Sequence, residues 1–503
     1  MGNYKIRVKV EIVECNEAVD SVPKENQDGS FEFKISEAEA ISIDRCEKAL
    51  LRTNHEAVRD AISRHLTEAS KKTQGQGIEG ELIANRHPYQ VDGEVGRFEF
   101  TTHSLVKDGG IKFNTARCVF PELKGKEWYR TSGFKEIAIV YGATEDSYRK
   151  TERMINRIRY QEGATPMRTL RDNTESEGAK ILDLQGRKAE KILEGNRFSE
   201  EGIPNGKSDK YSEMEGAILP EEEVAKAIGK VCEASPGEVA DMRKNPVCYE
   251  DPEQTVNISV DDVGVKKQKE ERKSKEYEGN DGANRYIHNT VMHVQKGKMV
   301  YILNGYGTVN VLRILIAFLL YNDLLGYRLQ FFVDGQRTLQ AAILKAFSWY
   351  RNIGLILDWY HLEKKSKMQL SMAMKGRDIR NRVLKELTHL LWYGLVDKAI
   401  EFLRGIDNGS IKSKEELERL VDYLERSKPY VPCYAARKEL GLRNSSNIGE
   451  KMNDLVVSNR QKHNGMSWSR PGSVALASVT ALVRNKEYQK WFEEGDIEFK
   501  LAA

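Results

Sequence analysis

The second half of the chain shows the clearest pattern of hydrophobic and polar positions. From about Val256, short apolar runs bounded by turn residues predict strands, and two longer apolar runs predict helices. The predicted order is β-β-β-α-β-α-β-α, with strands Val256–Val265, Asn289–Val294 and Met299–Leu303, a helix over about Val309–Leu325, strand Arg328–Val333, a helix over about Gln336–Trp349, strand Ile353–Leu357 and a further helix. Short connections make the first three strands antiparallel, whereas crossovers that carry a helix make the later strands parallel. We therefore predict an α/β fold with a five-stranded mixed sheet and helices on both faces.

This order of elements is that of the ribonuclease-H-like fold. Residues 365–440 have helical patterns and no strand patterns, which indicates a helical insertion, and a last amphipathic helix from about Ser446 to Gln461 would complete the core. The predicted divisions are 1–130, an N-terminal α+β domain of unknown role; 131–200, a helix-turn-helix-type region; 201–254, a linker and one helix; 255–364, the first part of the core; 365–440, the insertion; and 441–503, the last helix of the core and the C-terminal tail.

The N-terminal and linker assignments rest on local patterns. Alternating apolar residues predict strands at Tyr4–Val13, Arg97–Thr101 and Ile111–Phe120, and a longer period predicts a helix from Ser36 to about Lys71. Glycine and proline recur through residues 202–220, which is typical of a linker. One more helix is predicted over Glu221–Glu238. No motif in these segments indicates a function.

Residues 132–157 have the pattern of a helix-turn-helix. Ile137, Ala138 and Val140 form an apolar patch, a glycine turn is expected at Gly142, and Thr144 is expected to cap the second helix. Basic residues follow on and after that second helix, namely Arg149, Lys150, Arg153, Arg157 and Arg159. Such side chains would contact DNA phosphates and position the region on a duplex. The alternative is an ordinary helical hairpin.

Composition limits the remaining possibilities. The 503 residues include 79 Lys+Arg and 76 Asp+Glu, so the net charge of +3 argues against a uniformly basic surface but leaves room for local basic patches. The most apolar stretch, Val309–Leu325, is too short and too polar to span a membrane, and we expect no signal peptide. Six cysteines without a CxxC pair predict a reducing compartment and no zinc finger.

Three acidic residues stand where this fold would bring them together. Asp261 lies in the first strand, Asp334 directly follows the fourth strand, and Glu450 begins the last helix. Asp334 interrupts an apolar strand at the carboxyl end, where α/β sheets bind ligands. Alternation puts Asp261 on the polar face of its strand, but the composition leaves the adjacent Asp262 as an alternative. A carboxylate cluster of this kind is typical of phosphodiester chemistry with two divalent ions.

Two segments resemble bacterial insertion-sequence DDE transposases, including those related to eukaryotic Mutator-like elements. In the first, FFVDGQRTLQAAILKAFSWYRNIGLILDWYH, an aspartate closes the fourth strand, a helix ends in an aromatic residue, and an Asp-x-x-His motif stands at 358–361. In the second, NSSNIGEKMNDLVVSNRQKHNGMSWS, a glutamate precedes a basic helix and a Gly-Met-x-Trp-Ser turn. The resemblance covers about residues 255–490 and implies that Asp261, Asp334 and Glu450 form the catalytic triad.

The resemblance implies a transposase that binds the ends of an insertion sequence and catalyses metal-dependent DNA cleavage and strand transfer. Its triad would bind two Mg²⁺ ions, for which Mn²⁺ would substitute. His361 would contact metal-bound water, Glu450 or the scissile phosphate, and the alternative is a histidine satisfied in the core. Trp468 is either a packing residue or a platform for an unstacked base at the transposon end.

The same resemblance implies the partners of the protein. They would be the transposon ends and target DNA, with a homodimer or higher oligomer in the synapse, no membrane, and a cytoplasmic, nucleoid-associated location. Two other functions stay open. One is a ribonuclease-H-like nuclease that cuts DNA without strand transfer, and the other is a retired transposase that acts only as a DNA-binding protein.

Overall fold

The computed structural model describes residues 17–20, 24–27, 30–71, 81–107, 110–124, 126, 128–206, 218–234, 249–268, 285–445, 447–462 and 465–502. The chain divides into two compact units. The first comprises Met1–Ala138 and Tyr148–Leu170, and the second comprises Ile139–Ser147 and Arg171–Ala503. The residues predicted as a separate helix-turn-helix-type region, 131–200, are thus divided between the two units.

The first unit is an α+β structure. Its elements are β1 (Lys24–Glu25), β2 (Phe31–Glu32), α1 (Glu37–Ala40), α2 (Ile43–Lys71), β3 (Glu81–Gly93), β4 (Gly96–Lys107), β5 (Ile111–Asn114), α3 (Thr115–Val119) and β6 (Tyr129–Arg130). The main sheet has the order β5-β4-β3-β6, and only the β3–β6 pair in it is parallel. Helix α2 lies along β4, where the Thr101 N–H donates to Thr67 Oγ1 over 3.0 Å. Tyr89, Val91 and Phe100 are buried in the core of this unit.

Comparison with the predictions for this unit gives a mixed outcome. The predicted helix over Ser36–Lys71 is present as α1 and α2, and the strand over Arg97–Thr101 lies within β4. The strand expected over Ile111–Phe120 is wrong beyond residue 114. Asn114 accepts a hydrogen bond from the Ala116 N–H over 2.9 Å, and this N-cap turns the chain into α3. The strand expected at Tyr4–Val13 lies outside the described residues.

Three helices follow the first sheet. They are α4 (Ser132–Thr144), α5 (Tyr148–Ile158) and α6 (Met167–Gly195). Helix α4 crosses the boundary between the two units, α5 belongs to the first, and most of α6 belongs to the second. Helix α7 (Glu221–Ala234) is the helix expected over Glu221–Glu238, of which the last four residues lie outside the described part. Most of the expected linker, residues 207–217, also lies outside it.

The second unit is built on a mixed five-stranded sheet. Its strands are β7 (Thr255–Lys266), β8 (Tyr286–Lys296), β9 (Met299–Gly305), β10 (Arg328–Val333) and β11 (Ile353–Leu357), in the order β11-β10-β7-β8-β9. Strands β7, β8 and β9 form an antiparallel meander, and β10 lies parallel to both β7 and β11. The predicted mixed sheet of five strands, with its three antiparallel and two added parallel strands, is confirmed.

Helices cover both faces of this sheet. Helices α8 (Thr308–Tyr321) and α9 (Arg337–Ala346) provide the two crossovers, as predicted. Adjacent residues of a strand point to opposite faces. Asp262 of β7 accepts a hydrogen bond from Thr308, at the start of α8, whereas Asp261 accepts one from Asn453 of a later helix. The crossover helix and the C-terminal helices therefore lie on opposite faces.

Residues 365–440, which were predicted to be helical and to form an insertion, lie in a set of packed helices. They are α10 (Trp359–Ala373), α11 (Arg377–Trp392), α12 (Val396–Arg404), α13 (Lys414–Ser427) and α14 (Tyr434–Glu439). Their buried leucines share one core with the end of the sheet, where Phe332 and Ile356 belong to the same cluster. A fully buried ion pair, in which Arg437 donates to both carboxylate oxygens of Glu250, fixes α14 to the segment before β7.

The C-terminal segment completes the sheet. It contains α15 (Asn447–Asn453), a π-helical turn (Asp454–Ser458), α16 (Asn459–Gln461), α17 (Arg470–Arg484) and α18 (Tyr488–Glu494), and the first three together form the continuous helix expected near Ser446–Gln461. Trp468 pairs with Lys267 beyond the end of β7, and Ala502 pairs with Val300 at the edge of β9. None of the helices in the described part is long and apolar enough to cross a membrane.

Candidate active site and basic helix

The parallel strands bring acidic residues toward the end of the sheet at which β10 and β11 finish, which is called the carboxylate edge. Phe332 of β10 is paired with Ser259 of β7, so two residues further along each chain Asp334 and Asp261 occupy neighbouring positions. Asp334 leaves β10 through a turn in which its carboxylate accepts the Gln336 N–H over 2.8 Å. Side chains at paired positions of parallel strands share a face. Extended in this way, the register brings Asp334, just after the end of β10, next to Asp261, which lies within β7.

The helix that carries Glu450 lies against the same strand. Asn453 of α15 donates from its amide nitrogen to Asp261 Oδ2 over 2.9 Å. Residues three apart share one face of a helix, so position 450 is on the face that Asn453 turns toward β7. The Glu450 side chain lies outside what the structure describes. The three predicted triad positions therefore come from adjacent elements, and only the carboxylate of the third is not located.

Asp262 has different surroundings from Asp261. Its carboxylate accepts hydrogen bonds from the hydroxyl groups of Thr290 and Thr308, on the face of α8. It therefore points away from α15, and the geometry favours Asp261 as the first carboxylate, as the resemblance implied. The two threonines explain why a second aspartate stands here, since they satisfy a carboxylate that the strand half-buries.

The Asp-x-x-His motif forms the start of α10. Asp358 is 1% exposed, and its carboxylate accepts hydrogen bonds from the His361 N–H at 3.1 Å and from the Ser445 hydroxyl at 3.1–3.2 Å. It is an N-cap that also ties α10 to the chain just before α15. Its neighbour Trp359 packs against Trp392 and Tyr434 of the insertion. This motif thus positions the insertion, and His361 is half-buried in the first turn of α10.

A tyrosine from the insertion reaches the same edge of the sheet. Tyr423 of α13 is 6% exposed, and burial together with the nearby Asp334 carboxylate raises the pKa of its phenol. Gly335 has a φ of +87°, and a Cβ there would lie 2.8 Å from the Tyr423 hydroxyl. Glycine is therefore required at position 335 for two reasons. The backbone angle there is one that other residues rarely adopt, and a side chain would come too close to Tyr423. Sequence analysis missed both Tyr423 and Asn453, because each acts from a distant part of the chain.

The carboxylate edge has the donor chemistry that Mg²⁺ prefers, because Asp261, within β7, and Asp334, just after β10, are hard oxygen ligands. Among the side chains that the structure describes, no group of three His, Cys, Asp or Glu could hold a metal ion. The Glu450 carboxylate is not among these described side chains. The residues present thus fit a divalent ion only as a pair of aspartates with the third ligand still to be supplied.

Two helices with a short connection are present where the helix-turn-helix was predicted, and this arrangement is common to that motif and to an ordinary helical hairpin. Helices α4 and α5 are separated by Glu145–Ser147. The expected glycine turn and cap are both wrong. Gly142 lies inside α4, and Thr144 is the last residue of that helix, where its hydroxyl donates to the Val140 carbonyl over 2.8 Å. The Thr144 hydroxyl is thus satisfied by the preceding turn of α4 and is not free to cap α5.

The basic residues on and just after α5 fall into two groups. Four of them are exposed, namely Arg149, Lys150, Arg153 and Arg157, whereas Tyr148, Thr151 and Ile155 form the buried face. Arg159 is a correction to the predicted phosphate contacts, because it is 2% exposed. It lies within 3.5 Å of Asp92 and over the ring of Phe134, and burial lowers the pKa of its guanidinium to about 10.

Trp468 is a buried residue of the second unit. It is 7% exposed, its indole N–H donates to the Gln461 carbonyl over 3.0 Å, and Arg460 lies 5.4 Å from its ring. Arg460 also donates to the carbonyl oxygens of Gly142 and Asp146, at and after the end of α4. The structure therefore favours the packing alternative for Trp468. Base stacking would require this segment to open.

We expect the exposed arginines of α5 to contribute to DNA affinity through phosphates. Replacing Arg149 and Arg153 with alanine should weaken binding to a labelled duplex, and each lost contact should lower the slope of log affinity against log salt by about 0.9. Arg382→Ala, an exposed arginine on α11, is the matched control and should leave the slope unchanged. An unaltered slope in the double variant would place DNA binding on another surface.

The basic face of α5 and the carboxylate edge of the second sheet are thus the two candidate sites of this chain, and each is described within its own unit. Comparison of the chain with protein-family models, with curated proteins and with solved structures finds no match.

Proposed function

We propose that this protein is a DDE transposase with a ribonuclease-H-like core. The observation that carries the proposal is the placement of Asp261 within β7 and of Asp334 just after the adjacent parallel strand β10, with the helix of Glu450 bonded to Asp261 through Asn453. The strand order supports the proposed core, since the first strand of the meander lies at the centre and the two parallel strands are added beside it.

In this proposal Asp261, Asp334 and Glu450 hold two Mg²⁺ ions. Bound there, the ions stabilise the attacking and leaving oxygens of an in-line displacement at phosphorus. The chain itself fixes its carboxylates before any substrate arrives. The Asn453 amide orients Asp261, and the Gln336 N–H and the Gly335 turn orient Asp334. Such fixed ligands lower the reorganisation needed at the moment of reaction.

The exposed basic face of α5 supports a DNA substrate. Its four cations follow the spacing of one helix face, and phosphate contacts from such a face position a protein on a duplex without specifying sequence. Water would attack the phosphodiester at the element end and release a 3′-hydroxyl. In the second step that hydroxyl would attack a phosphodiester of target DNA and displace the 3′-oxygen of the target strand. Both steps are displacements at phosphorus, so one carboxylate cluster suffices for both.

The test is a strand-transfer assay with the full chain and a plasmid that carries the DNA flanking its reading frame, where we expect inverted repeats. Joined products should form with Mg²⁺ or Mn²⁺, and Ca²⁺ should support binding without cleavage. Metal-dependent cleavage without joined products would indicate the nuclease. Binding that persists without any cleavage would indicate a retired transposase.

A further inference from the structure

A cavity of about 660 Å³ lies beside the carboxylate edge, between the start of α9 and helices α10 and α13. Tyr423 connects the two places, since it lines the cavity and its hydroxyl lies next to Gly335, which follows Asp334. The volume is within the range of about 300–1,000 Å³ that is usual for sites of small ligands. The cavity is thus close enough to the candidate active site to hold a group that is joined to its substrate.

Some charged side chains of the lining have an ion-pair partner, and others have none. Among the described residues Arg337, Lys365 and Arg426 form no ion pair, and Asp422 is the one lining acid without a pair. The other two acids are already engaged, Glu416 by Arg419 and Glu425 by Arg404. Arg337 is also the first residue of α9, so the positive end of that helix dipole faces the same region. Three cations without an ion pair, of which Arg426 donates to the Asp422 carbonyl over 3.0 Å, favour an anion such as a phosphate group.

The other part of the lining is apolar. Met368 and Met372 are one turn apart on α10, and they remain 50% and 41% exposed although they are large apolar side chains. Methionine side chains adapt to flat partners and make favourable contacts between sulfur and aromatic rings. A ligand that fits this cavity therefore combines a phosphate group with a flat ring system.

We infer that this cavity binds one nucleotide, with its phosphate at Arg337, Lys365 and Arg426 and its base against Met368 and Met372. The source is a nucleotide of a DNA strand that continues from the bond at the carboxylate edge. That choice of source rests on the proposed function, whereas the fit to a nucleotide rests on the cavity alone. The helical insertion then contributes part of the substrate-binding surface.

The test uses the full chain with carbon-13-labelled methionine methyl groups, and Met368→Leu and Met372→Leu assign the two signals. Adding a single-stranded oligothymidylate should shift both signals. In the double variant Arg337→Ala/Arg426→Ala, the oligonucleotide concentration needed to shift the two signals should rise about tenfold or more, because two charge-assisted contacts are lost. Arg382→Ala, an exposed arginine of α11 that does not line the cavity, is the matched control and should behave like the unaltered protein.

The ligands and variants separate the outcomes. A DNA strand is supported as the source if the oligonucleotide shifts the signals at concentrations well below those needed for thymidine 5′-monophosphate. It is overturned if only the mononucleotide shifts them. Shifts that survive in the double arginine variant, or no shift at all, overturn the cavity as a nucleotide site. Asp334→Asn should keep the shifts. If cleavage is absent from the unaltered protein while the shifts are present, the proposed function fails and the nucleotide site stands.

Discussion

Asp334→Asn is expected to abolish metal-dependent cleavage and joining while DNA binding stays nearly unchanged. The amide keeps the shape of the turn and can still accept the Gln336 N–H, but it removes the charge that a divalent ion needs. Loss of a residue that only orients a metal ligand costs about 10–100-fold, so loss of a ligand should exceed about 100-fold. The measurement is the rate of product formation with Mg²⁺ at saturating DNA. Cleavage that persists in this variant would remove Asp334 from the active site.

The adjacent aspartates of β7 provide the matched pair. Asp261→Asn should be as inactive as the Asp334 variant, because Asp261 faces the helix of Glu450. Asp262→Asn should retain cleavage, since its amide oxygen can still accept from one of Thr290 and Thr308 on the opposite face while its amide nitrogen donates to the hydroxyl oxygen of the other. The reverse pattern, with Asp262→Asn inactive and Asp261→Asn active, would mean that the metal site lies on the face of α8.

The second large effect concerns stability. Arg437→Met should lower the free energy of unfolding by about 3–5 kcal/mol, because it leaves the Glu250 carboxylate buried without its counter-ion. Arg437 is 0% exposed, its guanidinium donates to both Glu250 oxygens, and it also donates to the Arg443 carbonyl at 2.7–3.0 Å. Urea unfolding at neutral pH measures the change. The midpoint should fall, and the slope should stay the same.

Two further variants make this result specific. Arg437→Met/Glu250→Leu should recover most of the loss, since replacing both members of a buried pair with apolar groups removes the unpaired charge. Arg404→Met breaks the exposed pair with Glu425 and should cost no more than about 1 kcal/mol. If the double variant is as unstable as the single one, the loss comes from packing around α14 and not from the stranded carboxylate.

Most of the second sheet could be predicted because its signals are local. Apolar runs at Arg328–Val333 and Ile353–Leu357 coincide with β10 and β11, and the intervening helical patterns coincide with the crossovers. Handedness and connection rules then leave few arrangements of such strands. The position of Asp334 could be predicted in the same way. An aspartate that directly follows a buried strand must lie at the end of the sheet or have a polar partner.

What the sequence did not reveal depends on distant contacts. Arg159 has the spacing of a surface cation, but Asp92 and Phe134, which come from elsewhere in the first unit, bury it. Tyr423 is an ordinary apolar position of α13 until the insertion packs its ring against Gly335. Thr144 could equally begin one helix or end another, and the hydroxyl bond to Val140 decides this only in the folded chain.

The pairings of the C-terminal segment set when the second unit can finish folding during its synthesis. Trp468 pairs with Lys267, just beyond β7, and Ala502 pairs with Val300 of β9, so these early positions wait for residues made much later. Translation adds roughly 5–20 residues per second, N-terminus first, and both positions therefore lack these partners while the insertion is being made. A chain still attached to the ribosome would already carry the basic face of α5 but not yet position 450. In a transposase, this order would let the nascent protein meet DNA before it is able to cut.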